Sequence, residues 1–149
     1  MNEQKELISR YSNKQDKFVY YIIALCVAAL GFAIHRTTET TLSCFHIPLG
    51  ISVLSWSVSV YFGFNFIKRD LDYIFTNNSL IEIQEGRHKI AGNHPEKIDI
   101  GQTVLREILD EKAEKMSKVF LKQEITFFFG VFSFIVWHIL MMYLNTSIT

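Results

Sequence analysis

IPLGISVLSWSVSVYFGFNFI, residues 47–67, runs for twenty-one residues without a charge. A helix needs ~17 to 25 mostly apolar residues to cross a ~30 Å hydrocarbon core. Lipid offers no partner for a bare backbone group, so a helix is the natural form for such a stretch. Pro48 falls in its first turn, where a missing N–H costs least. The stretch reads as a membrane span, and two further charge-free stretches accompany it, Phe18 to Ile34 and Ile125 to Leu144. The expected fold class is all-α, with three transmembrane helices.

The charges sort around these spans. All fifteen Lys and Arg lie outside them: four in residues 1–17, Arg36 alone in the 35–46 loop, ten in residues 68–124, and none after Leu144. Cytoplasmic flanks carry the excess of Lys and Arg, so three crossings put the N-terminus and residues 68–124 inside and the C-terminus outside. The expected location is a bacterial inner membrane. The 149 residues leave too little chain outside the spans for an independent globular core, so one membrane unit is expected. The first stretch is longer than the apolar core of a usual signal peptide and lacks a clear small-x-small site, which predicts a retained helix.

Residues 1–17 place Leu7, Ile8 and Tyr11 at helical spacing among charges, as in an amphipathic lead-in helix. The run Thr37 to Thr41 suits a short external turn. Beyond Ile67, the residues Leu71, Ile74, Phe75 and Ile81 continue an apolar stripe begun by Phe64 and Ile67. Thr76-Asn77-Asn78-Ser79 and the alternation Leu80 to Ile83 offer a break and a short strand as the alternative; the favoured reading is continuous helix. Gly92-Asn93-His94-Pro95 signals a turn. From Ile98 the residues Val104, Leu105, Ile108, Leu109, Met116, Val119 and Phe120 form a stripe leading into the third span. Helices 2 and 3 are thus expected to extend, over residues 68–124, into a cytoplasmic antiparallel hairpin. Two helices cannot fully cover two such stripes, which predicts a homo-oligomer.

Ser52, Ser55, Ser59 and Gly63 follow one another at i, i+3, i+7 and i+11, one face of the second span. A face of small residues either packs closely against another helix or lines a water-containing path around an axis. Ala24, Ala28 and Gly31 repeat the pattern in the first span. Thr126, Gly130 and Ser133 do so in the third, opposite Phe128, Phe132, Ile135 and Ile139. His138 is the one ionisable residue well inside a span, and serves either as a pore-lining or pH-sensing group or as a neutral partner of a neighbouring helix. Mixed charges at the inner interface, such as Lys68-Arg69-Asp70 and Lys122-Gln123-Glu124, suit headgroup anchors or the mouth of a pore.

Arg87, His88, Lys89 and Lys97 make a basic patch around the hairpin tip, either a binding site for a phosphate or nucleotide signal or a solvated turn. Cys26 lies inside the first span and Cys44 in the external loop, too far apart to bridge within one chain. Cys44 offers a cross-link between subunits. His35, His46 and His138 lack metal-ligand spacing, so no metal is expected. There is no Walker A loop, no HExxH and no Gly-x-Ser-x-Gly elbow. No catalytic residue is assigned, no cofactor is called for, and no nucleic acid polymer is expected as a partner.

Lys17-Phe18-Val19-Tyr20-Tyr21 leading to Gly31-Phe32-Ala33, and Ile47-Pro48-Leu49-Gly50 leading to Leu54-Ser55-Trp56 and Tyr61-Phe62-Gly63, resemble segments of small uncharacterised bacterial multi-pass membrane proteins. In architecture alone the chain also resembles membrane effectors of anti-phage defence systems, such as the channel subunit of the Hailong system. That resemblance implies an oligomeric pore or ion-channel effector, gated through its cytoplasmic helices by a protein or nucleotide signal. The alternative expectation is a non-conducting scaffold or regulatory subunit that binds a cytoplasmic partner.

Overall fold

The computed structural model describes residues 2–37, 44–87 and 95–147, with side chains from residue 13 onward except those of Cys44, Asn145 and Ser147. It is all-helical over those residues: α1 (Asn2–Thr37), a 3-10 turn (Cys44–His46), α2 (Ile47–Gln84) and α3 (Pro95–Ser147). All three α-helices are long and apolar enough to cross a membrane. Only 22, 28 and 17% of their apolar windows, in chain order, are buried inside the chain. The rest of each window faces outward with side chains such as Leu25, Leu54, Phe128 and Phe132. A water-soluble monomer does not carry apolar surface on that scale, whereas lipid is the natural solvent for it.

The helices outrun the expected spans. The lead-in and the first span form one helix, and Leu7, Ile8 and Tyr11 have side chains outside the described residues. α2 passes through Thr76–Ser79 without a break, so the helix reading of that segment holds and the strand alternative does not. The polar side chains there bond within their own helix. Thr76 Oγ1 donates to the Asp72 carbonyl at 2.9 Å and Ser79 Oγ to the Phe75 carbonyl at 3.2 Å. Residues with poor helix propensity are thereby accommodated by local bonds. α3 likewise continues to Ser147, past the expected end of the span at Leu144. Of the expected turns, Gly92, Asn93, His94 and Thr38 to Thr41 lie outside the described residues.

α2 ends in a Schellman motif. The Gly86 N–H donates to the Ile83 carbonyl at 3.1 Å and the Arg87 N–H to the Glu82 carbonyl at 2.9 Å, with Gly86 at φ 68°. A side chain at that φ would clash with the backbone, so glycine is what lets the helix close there.

The chain packs as two compact units. The first comprises residues 1–64 and 120–149, the second residues 65–119. In the first, α1 and α3 meet at Phe18 with Phe120 and again at Phe32 with Phe134, ring centroids 6.0 and 6.2 Å apart. The second pair lies about four turns further along both helices, so α1 and α3 run in the same direction. Two apolar clusters fill the interior: Ile22, Cys26 and Trp56, then Ala33, Leu49 and Trp137. Cys26 is a fully buried free thiol, in keeping with a packing role. The side chain of Cys44 lies outside the described residues.

In the second unit, Lys112 Nζ bonds Thr76 Oγ1 at 2.7 Å and pairs with Asp72 Oδ2 at 2.9 Å. Ile83 lies over Gly101, where an added Cβ would stand 3.1 Å from its Cδ1. Leu80, Ile83 and Leu109 are buried, while Leu71, Ile74, Phe75, Ile100 and Val104 are exposed. Along α3, Glu111 pairs with Lys115 and Glu114 with Lys118. The hydrogen bond from each lysine holds its glutamate below the usual carboxylate range. This support is present above the ordinary glutamate pKa and is lost as pH falls through the lowered one.

Replacing Gly86 by Ala forces a side chain into the left-handed region and should destabilise the α2 terminus by about 1–2 kcal/mol. A lowered thermal midpoint, followed by circular dichroism in detergent, checks it.

Candidate functional site: a polar seam between two spans

The serine face of α2 turns inward. Ser52 and Ser59 are fully buried and Gly63 is buried with them, while Ser55 is half-buried toward the edge of the face. Trp56, between the serines, belongs to the same face at 3% exposure. The matching face of α3 holds Gln123, Gly130, Ser133 and Trp137, all buried. The two glycines make this contact possible. A Cβ on Gly130 would lie 2.7 Å from both Cδ1 and Nε1 of Trp56, and a Cβ on Gly63 would lie 2.7 Å from Gln123 Nε2 and from Ile23 Cγ1. The indole therefore lies against bare backbone, and the Gln123 amide sits over Gly63. In lipid, where apolar side chains gain little from leaving the solvent, such close approach is a main source of helix association.

The hydroxyls are bonded in two ways. Ser52, Ser55 and Ser57 donate to carbonyls of their own helix, each at 2.8 Å: Pro48, Ile51 and Val53 respectively. Ser59 instead crosses the interface and donates to the Gln123 carbonyl at 3.0 Å. That carbonyl also accepts from Thr126 Oγ1 at 3.0 Å. The Gln123 side chain, fully buried, has no partner for Nε2 or Oε1, and the buried Trp56 Nε1 has none either. An unpartnered buried amide costs about 1–3 kcal/mol, so the seam is held by packing in spite of its polar atoms.

The small face of α1 behaves differently. Ala24, Ala28 and Gly31 are exposed, and nothing lies within 4 Å of a Cβ added at Gly31. Val19, Ile22, Cys26 and Ala33 provide the buried face of α1 instead. The small faces of α2 and α3 thus pack against one another, and that of α1 faces away. Phe128, Phe132, Ile135 and Ile139 all point outward from α3 as expected.

His138 is exposed and, among the described residues, has no hydrogen-bond partner; no serine of a neighbouring helix reaches it. It lines a cleft of about 340 Å³ together with Arg36, Phe32, Phe134, Trp137 and two methionines. His46 packs against Trp137, ring centroids 6.5 Å apart, and His35 is exposed. Among the described residues no three His, Cys, Asp or Glu side chains are placed to hold a metal ion. Of the basic patch, Arg87 is paired with Glu85 and Lys97 is exposed, while His88 and Lys89 lie outside the described residues. Burial pushes the Asp70 carboxyl above its ordinary value.

Sequence reasoning missed Gln123 as part of the seam, grouping it with the interfacial charges. Its signal was position: it lies seven residues before Gly130, on the same helical face. No family model, no curated protein and no solved structure matches the chain.

Two substitutions test the seam in opposite directions. Gly130→Ala drives a methyl into the Trp56 ring and should cost about 1–3 kcal/mol. Gln123→Met removes two unpartnered polar atoms at similar volume and should raise the thermal midpoint, since unmatched buried polar groups are costly. Thermal unfolding in detergent reads both.

Proposed function

We propose that this chain is a homo-oligomeric effector of a bacterial inner membrane that forms an ion-conducting pore. Its N-terminus is cytoplasmic and its C-terminus external. Residues 68–124 form a cytoplasmic antiparallel hairpin that assembles the oligomer and gates it.

The observation that carries assembly is the exposed face Ala24, Ala28 and Gly31 on α1. Small residues four and three apart on a lipid-facing helix let a second helix approach closely enough for backbone-level van der Waals contact. The second copy of this chain is the occupant always at hand. Leu71, Ile74 and Phe75, at i, i+3 and i+4 on an extramembrane stretch of α2, add an apolar row that water would leave uncovered.

Conduction is assigned to the seam. Outside it, apart from tyrosines, the exposed polar side chains of the spans are two: Ser57, which is bonded to its own helix, and His138. A water path therefore requires α2 and α3 to part, turning Ser52, Ser59 and Gln123 toward it. The unpartnered amide of Gln123 favours such a change, because hydration returns the hydrogen bonds that closure withholds. A cytoplasmic protein or a nucleotide signal acting on the hairpin is the trigger in this reading, as in the defence effectors that the architecture resembles.

The apolar character of the exposed span faces favours a second reading, a non-conducting scaffold or regulatory subunit whose hairpin holds a cytoplasmic partner. Purified protein in detergent should be a homo-oligomer by light scattering and should raise ion flux across liposomes. Ala28→Leu places a bulky side chain on the association face and should shift the protein to smaller species with reduced flux. A monomer without flux ends the proposal; an oligomer without flux that retains a cytoplasmic partner selects the scaffold.

A further inference from the structure

The cleft at Arg36 and His138 borders the seam at Trp137 and shares no lining residue with the association face. Its volume, about 340 Å³, falls in the ~300 to 1,000 Å³ range of small-molecule sites. Its walls are apolar, from Phe32, Phe134, Met141 and Met142, and its two cation-capable side chains are Arg36 and His138. Arg36 lies two residues beyond the charge-free stretch Phe18 to Ile34, which in the membrane reading is the depth of lipid headgroups. It is exposed and forms no salt bridge among the described residues, and His138 has no hydrogen-bond partner there. Two free donors beside an apolar trough describe a ligand with an anionic head and a hydrocarbon tail.

We propose that this cleft binds one anionic phospholipid, its phosphate held by Arg36 and His138 and an acyl chain laid along Phe32, Phe134, Met141 and Met142. The planar guanidinium matches a phosphate with paired N–H donors, and the imidazole adds a further donor to the same oxygens. Flexible methionines suit a chain that is not rigid in shape. An intramembrane histidine without a protein partner thereby acquires one at the lipid boundary. The inference depends on the membrane placement of the chain and is independent of whether the oligomer conducts.

Native mass spectrometry of the full chain in nonionic detergent, titrated with phosphatidylglycerol, tests it. One lipid per chain should be retained at low ratios. Arg36→Gln and His138→Ala should each weaken that binding about tenfold, the scale of one charge-assisted hydrogen bond. Both side chains are exposed, so helicity should be unchanged in the variants. Lys14→Gln, which removes an exposed cation elsewhere on α1, should leave the bound lipid in place. Glycerol phosphate should not displace it, because it lacks the tail. Unchanged affinity in both variants, an equal loss in Lys14→Gln, or displacement by glycerol phosphate at matched concentration would each overturn the proposal.

Discussion

The close approach of α2 and α3 at Gly63 and Gly130 is the constraint on which the membrane part of this protein depends. With an ordinary side chain at Gly130, Trp56 could not lie against the backbone as it does, and with one at Gly63 the Gln123 amide and the Ile23 side chain would have to shift. The cluster of Ile22, Cys26 and Trp56 builds on that placement of the indole. In water the burial of such rings would itself drive association. In lipid it does little, and what remains is the density of contact that two glycines permit. Ser59 adds a bond across the same interface, and its partner is a backbone carbonyl, so the contact does not rely on the orientation of another side chain.

The seam is also where the molecule departs from full satisfaction of its polar atoms. Gln123 supplies a carbonyl that accepts twice and an amide that pairs with nothing. A leucine or methionine would fill the space at lower cost, yet an amide occupies the most buried position of α3. A buried unpaired amide costs about 1–3 kcal/mol, so in the proposed gating the cost would fall on the closed arrangement and water would relieve it.

Much of the fold was legible because its signals are periodic. Charge-free runs gave the spans, and serines and glycines at helical spacing marked the inner faces of α2 and α3. What the spacing could not supply was a choice between faces. α1 has a small face and a mixed apolar face on nearly opposite sides, and either satisfies the pattern of a packed helix. The decision rests on the partner: Trp56 of α2 packs with Ile22 and Cys26, and nothing lies within 4 Å of a Cβ added at Gly31 on the small face. Gln123 was hidden for a related reason, since it sits between Lys122 and Glu124, whose charges suggest an interfacial segment. The continuity of α2 through Thr76–Ser79 was open in sequence because side-chain bonding to i−4 carbonyls, which rescues weak helix formers, leaves no mark in composition. The cleft at Arg36 was not legible at all, because it joins two helices whose relative register only the structure provides.

An outward-facing small stripe and an inward-facing polar seam place opposite demands on the same three helices. In a single copy, Ala24, Ala28 and Gly31 present shallow surface to lipid, where bulky tails fill a shallow groove poorly and a second helix fills it well. The seam, in contrast, is filled already, and its cost lies in the unpaired Gln123 amide and the indole N–H groups of Trp56 and Trp137. In the proposed assembly, association through α1 would leave the α2–α3 contact intact, and opening of that contact would leave the outer face of α1 free to hold its neighbour. The two processes draw on different faces, so an assembly built this way can change state without coming apart. That separation, more than any single residue, is the physical argument for reading the chain as a switchable assembly in the membrane.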